Sequence, residues 1–197
     1  GVGSHGISKL PVYLKRITEG RFNATPNIQV DPVSPGVLLV DGDNGPGQVV
    51  AKRAVDAGIK AAAEAGIVAV GVKNSNHFGA ASYYCQQASE HRLISIVCTN
   101  APPGIAPWGS RKPYFGTNPI AFGFPTGTES PIIIDMSSSV VARGKIRLAA
   151  KAKEPIPEGW AMDSEGNMTT DAEAALKGAV LPMGGAKGSA LALAVEI

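Results

Sequence analysis

The sequence has few cysteines, little net charge and no long hydrophobic run, and each shortage excludes a class of protein. Two cysteines, Cys85 and Cys98, among 197 residues are too few for a disulfide framework and indicate a reducing compartment. A formal charge of +2 with scattered basic residues predicts no nucleic-acid surface. No segment has the roughly 18 apolar residues that cross a bilayer, and no signal peptide is visible. We therefore expect a cytoplasmic protein that binds neither nucleic acid nor a membrane.

Metal and nucleotide motifs are also missing. The three histidines and two cysteines lack metal-site spacings such as H-E-x-x-H or C-x-x-C, so no metal is expected. Residues 1–6 match G-x-G-x-x-G by letter, but no strand precedes them and Pro11 interrupts the segment that follows, which argues against a dinucleotide fingerprint. Residues 187–189 have the wrong order for a Walker loop.

What is present predicts an α/β protein. The turn and cap at residues 43–46 start a helix that ends at Gly66. The apolar runs 67–72 and 94–99 are typical of strands buried on both faces, and a helix starting near Asn76 would join them in a right-handed βαβ unit. Residues 120–124 and 132–134 predict further strands in a mixed sheet.

The connection between the second and third of these strands is long. Residues 101–119 contain five prolines and three glycines and predict an irregular loop. Connections of this length without secondary structure are usually functional. We therefore expect a functional role for this loop.

The most informative stretch is residues 74–79, N-S-N-H-F-G. It follows a predicted strand and opens a predicted helix, which is where open α/β sheets bind ligands. His77 would lie in the first helical turn, where the helix dipole keeps the ring neutral and able to accept a proton. The alternative is a histidine that caps or packs the turn. A second candidate is the Ser4-His5 pair, which could relay a proton or simply form a polar turn.

Two later stretches could bind ribose hydroxyls or phosphate. Asp135, Met136 and Ser137 follow a predicted strand, so the carboxylate could accept hydrogen bonds from ribose hydroxyls and the serine could donate to phosphate. The alternative there is an Asx turn. The glycine-rich residues 184–189 open the last helix and place Lys187 beside free amide groups, which predicts an anion site or, alternatively, a flexible loop.

Taken together, these motifs resemble the malate/L-lactate dehydrogenases of the non-Rossmann type. That family also includes ureidoglycolate and sulfolactate dehydrogenases and piperideine-2-carboxylate reductases. The likeness runs in order through nearly the whole chain. It is carried by the segments 4–7, 10–13, 74–79, 116–122, 135–136, 142–145, 156–160 and 184–188.

The resemblance implies a mixed-sheet dinucleotide-binding domain unlike the Rossmann fold, over residues 32–183. It also implies a helical domain built from both chain ends, to which residues 1–31 contribute and residues 184–197 begin the return. Because the last eight residues form an apolar helical run without a stop signal, we expect the sequence to lack parts of that helical domain. A homodimer is also implied.

The resemblance assigns roles to residues as well. His77 matches the general acid/base, and Ser4 and His5 match a second polar pair. Cofactor-contact positions are matched by Asp135, Met136, Ser137 and Lys187.

Three positions depart from the family pattern. Lys9 stands where many members have arginine, so bidentate hydrogen bonding to a substrate carboxylate would become a point-charge contact. Ala101 replaces a frequent serine, and Ser189 replaces a larger residue. These differences leave the reaction class in place and leave the substrate and the choice of cofactor open.

We therefore expect an oxidoreductase that transfers a hydride between NAD or NADP and a small 2-hydroxy or 2-oxo carboxylic acid. His77 would exchange the proton and Lys9 would bind the carboxylate. A reductase of a cyclic imine acid is one alternative, and a non-catalytic ligand-binding homologue is the other.

Overall fold

The computed structural model describes residues 5–127 and 130–197, except for the side chain of Ser8. A 3-10 helix, Ile7–Lys9, leads directly into the first α-helix. The α-helices of the described residues are α1 Leu10–Thr18, α2 Gly47–Ala65, α3 Ala81–Glu90, α4 Arg143–Ala152, α5 Ala172–Lys177 and α6 Ala186–Glu196. The strands are β1 Gln29–Ser34, β2 Val37–Asp41, β3 Ala69–Lys73, β4 Ser95–Cys98, β5 Ile120–Phe124, β6 Ile132–Met136, β7 Ala161–Met162, β8 Met168–Thr169 and β9 Ala179–Val180.

The chain forms two compact units. The first comprises the described part of residues 1–96 together with 122–134, and the second comprises residues 97–121 and 135–197. The strands form three small sheets, in the orders β1-β2-β3, β4-β5-β6 and β8-β7-β9. The α/β class is therefore confirmed, although the strands are divided among several sheets.

The first sheet is mixed and contains the parallel unit of the fold. Strand β1 pairs with β2 antiparallel, and β2 pairs with β3 in parallel, with Val37 opposite Ala69. Helix α2 connects β2 to β3 and ends at Gly66, whose φ of +77° suits glycine. Val40 of β2 and Val50 of α2 are fully buried between sheet and helix. The predicted helix end at Gly66 is confirmed.

The predicted βαβ unit was placed one step too late in the chain. Strands β3 and β4 belong to different sheets, so α3 does not connect two strands of the same sheet. The parallel partner of β3 is β2, which the sequence patterns did not reveal. Strand β3 is also largely exposed along its length, with Val72 44% exposed, so its apolar run does not mark a strand buried on both faces.

Two helix starts also differ from expectation. Helix α3 begins at Ala81, not near Asn76, because Gly79 has φ +90° and cannot join a right-handed helix there. Pro11 does not interrupt the segment after residue 6. It lies in the first turn of α1, where a missing N–H costs no helical hydrogen bond.

The second unit has its own core. Residues 101–119 form the predicted irregular connection, and an isolated bridge joins Ile105 to Phe115 within it. Both side chains are buried and pack with Ile146 of α4 and Val180 of β9. The long loop therefore contributes to the hydrophobic core of this unit.

Candidate active site

His77 lies in the connection between β3 and α3, four residues before the helix. Its backbone is held in place by Asn76, whose side-chain amide donates to the carbonyl of Asn44 at 3.1 Å and to that of Gly45 at 3.0 Å. Gly47 opens α2 against the same segment, and a Cβ there would collide with the backbone of Asn76 and His77. These contacts give the histidine a defined position without a helical turn of its own.

The ring of His77 is hydrogen-bonded at its Nδ1 atom. The hydroxyl of Tyr13, on α1, lies 2.7 Å from Nδ1. The backbone N–H of Gly79 donates to the same nitrogen at 3.3 Å. The Tyr13 and His77 rings are tilted by 39° with centroids 5.9 Å apart, so the two side chains also pack.

His5 and two cations surround this pair. The His5 ring stacks on His77 with centroids 5.5 Å apart. Lys9 ends the 3-10 helix and precedes Tyr13 by four residues, and Arg16 follows Tyr13 by three, which places the three side chains on one face of α1. Arg16 lies 5.6 Å from the ring centre of the buried Phe22. This face of the helix is therefore positively charged.

The surroundings lower the pKa of His77. Burial of the ring is the largest cause, followed by the positive charges of His5, Lys9 and Arg16. A neutral ring at neutral pH was expected from the dipole of a helix starting at residue 76. Because α3 starts later, desolvation and nearby cations are the cause instead. Burial raises the pKa of Tyr13 and outweighs a hydrogen bond from Gln48 that lowers it, so the tyrosine stays protonated.

The two segments predicted to bind ribose hydroxyls or phosphate lie side by side in the second unit. Asp135 and Met136 end strand β6, so the strand runs two residues further than predicted. Ser137 follows, and its hydroxyl lies 2.9 Å from that of Ser139. Ser139 bridges to Pro182, and the N–H of Met183 donates to the carbonyl of Ser138 at 2.9 Å. These backbone contacts bring residues 135–139 next to the strand that leads into the glycine-rich loop.

The glycine-rich loop has a well-defined shape. Gly184 and Gly185 have φ of +59° and +63°, and a Cβ on Gly185 would lie 2.7 Å from the Trp108 ring. Ser189, in the first turn of α6, accepts a hydrogen bond from the Trp108 backbone N–H at 3.1 Å. The first N–H groups of α6 have no helical acceptors. Lys187 is exposed beside them.

The site residues predicted from the sequence fall into two groups, one in each unit. Ser4 lies outside the described residues. His5, Lys9 and His77 come together in the first unit, and the cofactor candidates come together in the second. Within the described part of the chain, no three His, Cys, Asp or Glu side chains are grouped to hold a metal, and no helix has the length and apolarity to cross a membrane.

The sequence assigns no role to two residues of the His77 cluster. The sequence predicts no role for Tyr13 beyond its place in the segment 10–13, and none for Gln48. The available signal was the spacing of Lys9, Tyr13 and Arg16, which is helical. A proline at position 11 argued against a helix there, so the helical spacing of these three residues did not indicate a shared face.

The second unit holds a further buried polar residue without a predicted role. Asn118 is fully buried with φ +30°. Its amide nitrogen donates to the carbonyl of Ala192 at 2.8 Å and to Glu196 at 2.6 Å, and its oxygen accepts the N–H of Ala101 at 3.0 Å. It therefore ties the irregular loop to α6, directly beside the position where a serine was expected.

Comparison with known proteins identifies the class to which this architecture belongs. The family model described as malate/L-lactate dehydrogenase matches residues 1–197, and the chain belongs to that family. It is 45% identical over its full length to a (2R)-3-sulfolactate dehydrogenase (NADP(+)) of Chromohalobacter salexigens, covering 59% of that protein. It is 43% identical to a malate dehydrogenase of Pyrococcus horikoshii, with 100% of this chain and 57% of that protein covered.

The fold is also shared with a solved structure. The crystal structure of a delta1-piperideine-2-carboxylate reductase from Pseudomonas syringae superposes with a TM-score of 0.94 at 36% identity, over 98% of this chain and 58% of that one. The chain thus spans well under two thirds of the length of these relatives. The family resemblance expected from the motifs is confirmed.

Proposed function

We propose that this protein is an oxidoreductase that transfers a hydride between NAD or NADP and a small 2-hydroxy or 2-oxo carboxylic acid. The observation that carries the proposal is the state of His77. Its ring is hydrogen-bonded at Nδ1 to Tyr13, and its pKa is lowered by burial and by the charges of His5, Lys9 and Arg16. Positive charge near the ring attracts an anionic acid, and the imidazole is suited to exchange a proton with the hydroxyl or oxo oxygen of that acid. Family membership supports the same reaction class.

In this proposal His77 handles the proton of the substrate oxygen. Oxidation of a secondary alcohol requires a base for the hydroxyl proton, and reduction of the oxo acid requires an acid at the same oxygen. Because Nδ1 is hydrogen-bonded to Tyr13 and Gly79, Nε2 is the ring atom that exchanges the proton. His5, stacked on the ring, adjusts the affinity of His77 for that proton.

Lys9 and Arg16 would bind the acid. Both act on the charge of His77, so both lie close enough for their fields to reach the ring. A carboxylate beside His77 would be attracted to Lys9 first, because its ammonium is a compact point charge on that face. Two cations also suit a substrate with two anionic groups. The relatives named above as sulfolactate and malate dehydrogenases act, by their names, on acids of that kind.

The second unit would hold the cofactor. A nicotinamide cofactor supplies or accepts the hydride. Its phosphates would be bound by the free N–H groups at the start of α6 and by Lys187, and ribose hydroxyls could donate to Asp135. The fit is supported by the position of Ser137 beside the strand that leads into the same loop. Gly185, pressed against Trp108, leaves no room for a side chain on that side of the loop.

The wider assembly is part of the same proposal. We place residues 32–183 in a dinucleotide-binding domain unlike the Rossmann fold and residues 1–31 and 184–197 in a helical domain. A cytoplasmic homodimer is proposed on the family resemblance alone.

A second candidate is reduction of a cyclic imine acid. It is favoured by the likeness to the piperideine-2-carboxylate reductase structure. The same histidine would then protonate a ring nitrogen, and Lys9 would still bind the carboxylate.

The test is binding followed by turnover. The fluorescence of NADH and NADPH is measured on adding the protein, and turnover is then measured with oxaloacetate, sulfopyruvate, pyruvate and a cyclic imine acid. Turnover of the 2-oxo acids supports the main proposal, and turnover of the imine alone supports the second. Cofactor binding without turnover would indicate a ligand-binding homologue, and no binding would overturn the proposal.

A further inference from the structure

The hydrogen bonds at His77 define which ring nitrogen carries the proton. The Gly79 N–H can only donate, so the Nδ1 atom that it approaches at 3.3 Å must offer a lone pair. The Tyr13 hydroxyl, 2.7 Å from the same atom, must then donate as well. A neutral imidazole has one protonated nitrogen, so the proton lies on Nε2.

Tyr13 is arranged to act as that donor. Gln48 forms a hydrogen bond that lowers the pKa of the tyrosine, as expected when its amide donates to the phenol oxygen. The phenol proton is then available to point at His77. The partners come from three different parts of the first unit: α1, the start of α2 and the loop before α3.

We infer that Tyr13 is a positioning residue that holds neutral His77 as its Nε2–H tautomer, with Gly79 as the backbone partner. The inference rests on the proposed function for its consequence. A protonated Nε2 can donate a hydrogen bond to the oxo oxygen of a 2-oxo acid, or to an imine nitrogen. The resting enzyme is therefore set to receive the oxidised form of the substrate.

The same contacts describe how the proton moves. Before reduction the ring takes up a second proton, supplied by solvent, at Nδ1, so the Gly79 N–H loses its acceptor and the Tyr13 hydroxyl turns to accept from Nδ1–H. The imidazolium then gives its Nε2 proton to the substrate oxygen as the carbon–oxygen double bond becomes a single bond. The neutral ring that remains keeps the Nδ1 proton and donates it to Tyr13, and its Nε2 lone pair is the base for the reverse oxidation. A hydroxyl can serve both states because it is both donor and acceptor.

The tautomer can be measured directly in the protein with isotope-labelled histidine. The Cδ2 and ring-nitrogen NMR signals of an imidazole differ between the two tautomers, and the His77→Gln variant assigns the His77 signals among the three histidines. Above the pKa of the ring, we expect the wild type to show mainly the Nε2–H form. A wild-type His77 that is mainly Nδ1–H would overturn the inference without any further variant.

Tyr13→Phe keeps the ring packing and removes only the hydroxyl. We expect it to shift His77 toward a mixture of tautomers. Tyr83→Phe is the matched control, since Tyr83 is 53% exposed and lies outside the His77 cluster. An identical tautomer population in Tyr13→Phe and wild type would also overturn the inference. None of these spectra depends on turnover, so the tautomer of His77 can be determined even if the proposed function fails.

Kinetics provide a second readout. If the protein turns over an oxo acid, Tyr13→Phe should lower kcat by about 10- to 100-fold, less than the full contribution of a general acid–base group. The KM for the acid should change little, because Lys9 is untouched. A rise in KM with unchanged kcat would place Tyr13 in substrate binding and contradict the positioning role.

Discussion

The rings of His5 and His77 lie parallel, with an interplanar angle of 4° and centroids 5.5 Å apart. Stacked imidazoles at this distance cannot both be protonated without repulsion. His5 is accordingly one of the charges that lower the pKa of His77. The stacking therefore leads to the first prediction.

His5→Asn should raise the pKa of His77, because one of the positive charges that oppose its protonation is removed. NMR titration of the labelled histidines measures the shift. His91→Asn is the control, since His91 caps the end of α3 and is not among the causes of the His77 shift. A pKa of His77 that stays constant or falls in His5→Asn would show that the stacked ring does not repel the proton.

His77→Ala should lower turnover by about 100-fold or more, as expected for loss of a general acid/base. Cofactor affinity should stay near that of the wild type, because the proposed cofactor contacts lie in the other unit. Steady-state kinetics and fluorescence titration with NADH and NADPH measure the two effects. A variant with turnover within about threefold of wild type would remove His77 from the mechanism.

Lys9→Met should weaken binding of the acid, on the order of 1.5–3 kcal/mol for a hydrogen bond to a charged group. Lys9→Arg should keep activity and change the preference among acids of different length, because the longer guanidinium side chain would bind the carboxylate at a different position. Lys15→Met is the control, since Lys15 on the same helix is 74% exposed and pairs with Glu19. Unchanged constants for three acids in both Lys9 variants would direct the search for the carboxylate partner to Arg16 or Arg143.

Lys187→Ala should raise the apparent dissociation constant for the cofactor. High salt should weaken wild-type binding in the same direction, because screening reduces the contact with phosphate. Lys177→Ala, an exposed lysine at the end of α5, is the matched control. If Lys187→Ala changed only the constant for the acid, the glycine-rich loop would be assigned to the substrate carboxylate.

The folded protein should lose stability as the pH falls below about 6.5, the ordinary pKa of histidine. The pKa of His77 is lowered in the fold, so the unfolded chain binds more protons in that range. The contribution of the neutral ring is complete above that ordinary value and is lost as the pH falls through the folded pKa. Urea midpoints from pH 5 to 8 measure it, and the slope should be smaller in His77→Gln. Equal slopes in both proteins would contradict this assignment.

Local patterns predicted some elements well and others poorly. The strand at residues 120–124 has the predicted bounds, and α2 ends at the predicted glycine. Strand β1 was missed because it contains Asp31 and Pro32, which are unusual in a strand interior. It is an antiparallel edge strand, where a proline is tolerated because its neighbour lies on one side only.

The start of α3 was predicted too early in the chain. The segment N-S-N-H-F-G resembles a helix start by composition, but the Asn76 side chain is bonded to a loop more than thirty residues earlier, and Gly79 adopts a left-handed conformation. Those contacts are long-range and outweigh the local preference. The pKa of His77 is lowered, as a preference for the neutral ring requires, and the cause is burial and nearby charges instead of a helix dipole.

By itself, the sequence determined the α/β class, the family and the segments that carry the candidate residues, because hydrophobic periodicity and motif order are local properties of the chain. Only the tertiary structure decided how those segments act together. Tyr13 and His77 are 64 residues apart, and their hydrogen bond exists because α1 and the loop before α3 meet in one unit. A ring's protonation state depends on burial and on neighbouring charges in space, which no local pattern encodes.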